Sequence, residues 1–250
     1  MRKNKIYCRL LPFLLLLICT SNEVFAQANG KKNTIRYNIT NPLLFGNKAY
    51  VIGYERTVGK HQSVGINIGR MSLPGFGKGG GSDSVSLQNN TNEKGFHISA
   101  EYRFYLAKEN KHEAPRGVYI GPYYSYNHFS RANEWLLNTS SFQGKVTTNL
   151  ALNINTVGAQ LGYQFILWKR VSLDLVLLGP GIGFYQVKAG INTSLNAKQK
   201  ELFYERLNDL LADKIPGYNL VIDEGEFKRN GSVETTTFGF RYMVNVGFRF

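Results

Sequence analysis

The chain has 250 residues, 43% hydrophobic and 13% aromatic, with 30 Lys and Arg against 17 Asp and Glu, giving a net charge of +13. Both cysteines, Cys8 and Cys19, lie in the first 26 residues, so a disulfide-stapled scaffold, a Cys-ligated metal and thiol chemistry are excluded from the remainder. The basic balance suggests nucleic acid, yet no aromatic-basic groove motif accompanies it, and no nucleic-acid partner is expected.

Arg2, Lys3, Lys5 and Arg9 precede an apolar run at residues 10–19, and Val24-Phe25-Ala26 offers small residues where a signal peptidase reads. Residues 1–26 are therefore expected to be a cleaved signal peptide, and 27–250 one exported domain. The run is shorter than the roughly 20 residues a helix needs to cross a bilayer. Ile18 is larger than the residue preferred before a lipidated cysteine, which argues against Cys19 as a lipid anchor. Cleavage removes four basic residues and one acidic, lowering the charge from +13 to +10. Later apolar runs, such as 173–178, are broken by charge or Gly-Pro. Only a closed barrel of strands could then carry this chain through lipid, because only helices and closed barrels satisfy every backbone group there.

Eight segments alternate apolar and polar residues, the period that sends successive side chains to opposite faces of a strand. They fall at 34–40, 49–58, 63–70, 95–106, 117–126, within 150–167, from 171 to about 183, and at 237–250. Pro122 removes a ladder donor from the fifth and predicts a bulge or a lapse in pairing. The sixth changes phase: Leu150, Leu152 and Ile154 are even-numbered, whereas Val157, Ala159, Leu161, Tyr163 and Phe165 are odd. A β-bulge near Asn155 would reconcile them. In the last segment Phe238, Phe240, Tyr242, Val244, Val246, Phe248 and Phe250 share one face. A terminal aromatic preceded by alternating apolar residues resembles the assembly signal of Gram-negative outer-membrane barrels, assigned here to Tyr242, Val244, Val246, Phe248 and Phe250.

The connections alternate in length. Long polar stretches at 71–93, 127–149 and 185–236 read as loops on one side, and short turns lie on the other. The 71–93 stretch is glycine-rich, but no Lys-Ser/Thr pair or helix start follows where a phosphate-binding loop needs one. Asn196 and Gln199 hold the positions of a capping box, and Phe203, Leu207, Leu210 and Leu211 recur at helical spacing. One amphipathic helix, ended by Pro216-Gly217, is expected inside the last long loop. Lys31, Lys32, Arg36, Arg56, Lys60, Lys108, Lys111, Arg116, Lys169, Arg170 and Arg249 are assigned to the short-turn side, opposed only by Glu109 and Glu113. Such an excess suits lipid phosphates at the periplasmic leaflet.

Asn41-Pro42, Gly53-Tyr54-Glu55-Arg56, Glu101-Tyr102-Arg103-Phe104-Tyr105 and the run Gly117-Val118-Tyr119-Ile120-Gly121-Pro122-Tyr123 resemble a family of small outer-membrane proteins of unknown function from Gram-negative anaerobes. The resemblance spans the mature chain. It implies an all-β fold, an eight-stranded antiparallel up-and-down transmembrane barrel of the OmpA/OmpX type, located in the cell outer membrane, and it implies no activity.

Eight strands enclose an interior just wide enough for side chains to fill. Glu55, Asn67, His97, Glu101, Arg103, Tyr119, Tyr123, Gln160, Asp174, Arg241 and Asn245 are the expected lumen set. Glu55, Glu101, Arg103, Asp174 and Arg241 should pair there as a charge network, since an unpaired buried charge is costly. His97, Ser99 and Glu101 share a face and suggest an envelope lipid hydrolase in which His takes the Ser proton. That face is the lumen, whereas lipid arrives from the bilayer. A narrow pore is a further alternative. No cofactor or metal site is expected, because His61, His112 and His128 stand isolated. The favoured reading is a non-enzymatic barrel whose outer loops bind a partner, with Trp135, Leu136, Phe203, Leu207 and Leu211 as contact candidates. Outer-membrane lipids and the barrel-assembly machinery are its other expected partners.

Overall fold

Alternation along each strand is what builds the architecture: one face of every strand must meet the interior, and a sheet that closes on itself leaves no unpaired edge. The computed structural model describes residues 31–46, 48–72, 85–139, 142–191, 196, 200 and 232–250. Its elements are β1 (Asn33–Asn38), α1 (Thr40–Phe45), β2 (Tyr50–Gly59), β3 (Gln62–Arg70), β4 (Val85–Tyr105), β5 (Gly117–Thr139), β6 (Phe142–Leu167), β7 (Val171–Leu178), β8 (Pro180–Ile191), β9 (Ser232–Phe240) and β10 (Met243–Arg249). The expected signal peptide lies outside the described residues, as does the expected helix apart from Asn196 and Lys200.

All pairings are antiparallel, and the order β5-β4-β3-β2-β1-β10-β7-β6 closes into a ring through the β5–β6 pairing. β7 and β8 are two lengths of one wall strand broken at Gly179, and β9 and β10 are two lengths broken at Arg241 and Tyr242. The Arg241 N–H donates to the Gly179 carbonyl at 2.8 Å, so the two breaks meet. Ten segments thus make the eight wall strands that the sequence pattern predicts.

Paired residues run from Tyr126 through Ile98, Ile68, Ile52, Tyr37, Val246 and Leu173 to Phe165 on β6. Tyr126 itself pairs directly with Asn155, so the ring closes with an offset of ten residues, 155 to 165, along β6. For eight strands with a rise of about 3.3 Å and a spacing of about 4.8 Å, that offset tilts the strands by roughly 40°.

The polarity of the wall is inverted relative to a water-soluble domain. Ile35, Tyr37, Ile52, Ile66, Ile68, Val157, Ile182, Phe238 and Phe248 are exposed on the outer face, while Arg36, Glu55, Glu101, Arg103 and Asp174 are buried inside. Towards the long-hairpin end the inversion itself reverses. On β5 the outward row reads Val118, Ile120, Pro122, Tyr124 and Tyr126, then turns polar at His128, Ser130 and Glu134, while Phe129 and Trp135 are buried within. On β6 Val146, Leu150 and Leu152 point inward, and Lys145, Asn149 and Asn153 lie on the other face. On β8 the outward Ile182 and Phe184 give way to Gln186 and Lys188. Register brings these switch points together, since Tyr126 pairs with Asn155 and Asn155 with Phe184. One contour therefore divides a lower barrel, apolar outside, from an upper wall, apolar inside.

This contour corrects two expectations. The β-bulge near Asn155 is absent: β6 pairs with β5 without a register shift, and Leu150, Leu152 and Ile154 keep the inward phase of Gln160 and Gln164. Their apolar character belongs to the interior above the contour, whereas that of Val157 and Leu161 belongs to the exterior below it. Residues 127–139 and 142–149, expected as loop, continue the β5–β6 ladder, which runs to Thr139 opposite Phe142. Likewise β4 begins at Val85, inside the stretch expected to be loop. Pro122 behaves as expected of a missing donor, since the β4 ladder omits Tyr102 and Arg103 between Glu101 and Phe104 without changing register.

α1 has no counterpart in the sequence pattern. It follows β1 directly, with Pro42 in its first turn, where the missing N–H costs no helical bond. The Thr40 hydroxyl accepts from the Val244 N–H at 2.8 Å and ties the helix to β10. Leu43 and Leu44 are left outside at 80% and 68% exposure.

Candidate functional site

The lumen is built from β1 outward. Arg36 lies between the exposed Ile35 and Tyr37, so alternation turns it inward, and it pairs with Gly53 on β2 and Gly247 on β10. Glycines on both flanks leave the guanidinium room to cross the lumen. A Cβ at Gly65 would stand 2.8 Å from both Arg36 Nη2 and Glu101 Oε1. Arg36 Nη2 lies 2.7 Å from Glu101 Oε1, and Nη1 lies 3.2 Å from Asp174 Oδ2 and 3.8 Å from Glu55 Oε2. This corrects the count of Arg36 among the basic residues that meet lipid phosphates at the short-turn side, for it is buried within the charge network.

Arg103 completes the pairing from β4. Its Nη2 sits 2.8 Å from both Glu101 and Asp174, and its Nη1 donates to Gln164 Oε1 at 2.9 Å. The guanidinium carbon lies 4.2 Å from the centre of the Tyr119 ring, within cation–π range. Arg241 reaches Glu101 Oε2 at 3.1 Å while lying over the Tyr123 ring. Asp174 also accepts from the Tyr119 hydroxyl at 2.7 Å and from Asn245 Nδ2 at 2.9 Å. Gln164 Nε2 donates to Glu55 Oε2 at 3.0 Å, and Ser63 Oγ donates to Glu55 Oε1 at 2.6 Å. Three arginines thus face three carboxylates, and all eight wall strands contribute a side chain to the bonded cluster. Arg36, Gln164 and Tyr105 join the expected lumen set, and parity along their strands turns each inward; the Tyr105 hydroxyl lies 3.0 Å from Glu55 Oε1 and 2.7 Å from Gln164 Oε1.

His97, Ser99 and Glu101 lie on the lumen face, but they do not act as one unit. His97 Nε2 is 3.2 Å from Ser99 Oγ, and His97 Nδ1 is 2.7 Å from Asn127 Oδ1, so Asn127 rather than Glu101 orients the ring. Glu101 is engaged by the arginines. Ser99, 1% exposed, also accepts from Asn67 Nδ2 at 3.0 Å, and Asn67 meets Arg36. The pair belongs to a polar chain running down into the charge cluster. Among the described residues no group of His, Cys, Asp or Glu is placed to hold a metal ion.

Trp135 is corrected as a contact residue. It is fully buried on the inner face of the β5–β6 hairpin, where its Nε1 donates to Thr148 Oγ1 at 2.8 Å. An aromatic above the contour faces inward for the same reason that Leu150 does. Leu136, next along the strand, is exposed. Phe203, Leu207 and Leu211 lie outside the described residues. At the other rim Tyr242, Val246, Phe248 and Phe250 are exposed in one outward row with the half-buried Val244. Phe250 and Asn33 exchange backbone bonds of 2.8 and 3.1 Å, closing the seam between β10 and β1.

Fold and interior together define a closed eight-stranded antiparallel barrel with a charge-paired core and an apolar outer belt. The chain belongs to the DUF3575 family, described as a protein of unknown function, which it matches over residues 12–202. Among solved structures it is similar to a major outer membrane protein from Thermus thermophilus, at 10% identity over 88% of this chain and 98% of that chain, with a TM-score of 0.34. No curated protein matches.

Proposed function

We propose that this protein is a non-enzymatic outer-membrane barrel, exported through its signal peptide, whose lumen is closed and whose upper hairpins carry recognition. The observation that supports this is the polarity contour. The belt below it exposes Ile, Val, Phe and Tyr on every wall strand, as a lipid-facing surface does, and the wall above it exposes Asn, Gln, Lys and Glu, as a water-facing surface does. The outward row of β5 from Val118 to Tyr126 spans nine residues, in line with the roughly 9–11 of a tilted membrane strand. Aromatic residues gather at both edges of the belt: Tyr50, Phe96, Phe184 and Phe240 above, Tyr54, Phe104, Phe165 and Phe248 below.

In this reading the Arg36–Arg103–Asp174–Glu101 cluster fastens the wall strands to one another and leaves no conducting path at its level. The outward row ending at Phe250 is read by the barrel-assembly machinery. A partner outside the cell meets the polar outer face of the β4–β5–β6 wall, with Leu136 as an apolar anchor.

The test uses single cysteines, since both native cysteines fall in the signal segment. Lys145→Cys, on the outer face of the upper hairpin, should react with a membrane-impermeant maleimide on intact cells. Lys108→Cys, in the opposite turn, should react only after the outer membrane is permeabilised. The converse labelling would overturn the orientation, and extraction of the protein by carbonate without detergent would overturn the membrane reading. Lipid hydrolysis is the second reading, favoured by the 3.2 Å His97–Ser99 contact. It requires phospholipid cleavage by purified protein that Ser99→Ala abolishes.

A further inference from the structure

A groove of about 730 Å3 opens on the outer face where β2, β3 and β4 reach the contour. Its floor is Ile52 and Ile68, which pair directly, and Tyr50 and Phe96 line it further up. Tyr50 pairs with Arg70, and His97 with Gly69, so Phe96 follows beside Arg70 on its far side. Arg70 therefore stands between two rings at the head of an apolar trough, and Lys94 follows on the same face one step higher. Both cations are exposed, and neither makes an ion pair among the described residues. Arg70 is held by the Glu93 backbone carbonyl at 3.2 Å, a contact that positions the guanidinium without neutralising it. Glu93 also lines the groove, and its carboxylate is committed to Arg131 at 2.7 Å and to Ser72.

We propose that this groove is a binding site for one phosphate-bearing lipid of the leaflet that meets the upper hairpins, acyl chain on the isoleucines and phosphate on Arg70 and Lys94. The inference rests on the membrane reading above. An exposed trough of Ile, Tyr and Phe suits an acyl chain, and a cation pair at its head, just where the outer face turns polar, suits the anionic group at the chain's end. A planar guanidinium can take two phosphate oxygens at once, while the ammonium acts as a point charge beside it. A soluble anion would use the two cations and leave the trough unfilled; a neutral lipid would do the reverse.

The experiment reconstitutes the full mature protein in nanodiscs of zwitterionic phosphatidylcholine doped with diphosphorylated lipid A. Retention of the dopant through washing is measured by mass spectrometry. The native chain should retain it at near-unit ratio, a dephosphorylated lipid A should not be retained, and excess inorganic phosphate should compete only weakly. Arg70→Ala/Lys94→Ala should weaken retention by about thirtyfold, from the contribution of two basic residues at a membrane surface. Ile68→Trp, which fills the trough and keeps both cations, should weaken it as well. Equal retention by the double variant, or full competition by inorganic phosphate, overturns the site. Failure of the native chain to enter nanodiscs overturns the membrane reading instead, and heat-modifiable migration of each variant on gels separates loss of binding from loss of folding.

Discussion

Replacing Arg36 by Met tests whether the charge cluster holds the barrel together. The substitution leaves an unbranched apolar side chain of similar volume, though shorter, and removes one of three cations facing Glu55, Glu101 and Asp174. Arg36 stands 2.7 Å from Glu101, 3.2 Å from Asp174 and 3.8 Å from Glu55, and all four side chains are at most 1% exposed. The variant leaves three buried carboxylates against Arg103 and Arg241. Breaking a buried pair from one side costs about 3–5 kcal/mol, because the stranded charge keeps its desolvation penalty. Urea unfolding in detergent micelles, followed by tryptophan fluorescence and by heat-modifiable migration, should show a loss of that size. Arg36→Met/Glu101→Gln restores two carboxylates against two arginines and should recover more than half of it. The reasoning is refuted if the single variant loses less than about 1 kcal/mol, the range of exposed ion pairs, or if the double variant is no better than the single.

Removing Phe248–Phe250, or making Phe250→Ala, should leave most of the protein unassembled in cells, because the outward row and the Asn33 seam bonds are both lost; a normal yield of heat-modifiable barrel would count against an assembly role. Trp135→Ala should loosen the β5–β6 hairpin by about 3–5 kcal/mol while the lower barrel still folds, and trypsin sites at Arg131 and Lys145 should become cleavable before Arg103 does. Burial raises the Glu93 carboxyl, but hydrogen bonds from Ser72 and Arg131 outweigh it and hold the group below its ordinary value. A depressed folded value gives stability that is present above the unfolded pKa and lost as pH falls through the folded one. The Glu93–Arg131 tie should therefore hold the upper wall at neutral pH and release it in acid, seen as rising proteolysis that Glu93→Gln makes independent of pH.

Much of the wall can be read from residue order because the belt imposes one rule on every strand. Phe238 to Phe250 alternate without exception, and so do Val64 to Gly69, since the outer belt and the lumen make different demands at each step. The same rule misleads above the contour. Searching only for outward apolar residues turns Phe129, Trp135 and Leu150 into loop or phase errors, although their alternation is equally regular with inside and outside exchanged. Arg36 is misplaced for another reason. It lies close to the start of β1 and counts by position with the basic turn residues, although its place between the outward Ile35 and Tyr37 turns it into the lumen. Sequence proximity pairs Glu101 with His97 in expectation. Cross-strand neighbours decide otherwise, giving His97 to Asn127 and Glu101 to the arginines. α1 has too few residues to carry a helical period.

The uneven ladders have a kinetic consequence. β5 and β6 share 23 residue pairs and follow one another in the chain, whereas β1 and β10 share five pairs that lie some two hundred positions apart. Local hairpins form within microseconds, and closing so long a loop carries a larger entropic cost, so the β1–β10 seam is expected to shut last. Until it does, Arg36 stays with β2 at one edge of the open sheet, while Asp174 on β7 lies next to β10 at the other edge, so the 3.2 Å Arg36–Asp174 pair is unmade. Closing the seam thus brings a buried cation from one edge of the sheet onto a buried carboxylate from the other. The step that joins the two ends of the wall is also the step that neutralises its core, so a half-closed barrel is penalised electrostatically for remaining open. Pulsed hydrogen exchange during refolding into micelles would show this order as late protection of the Ile35 and Tyr37 amides, after those of Tyr124 and Val157.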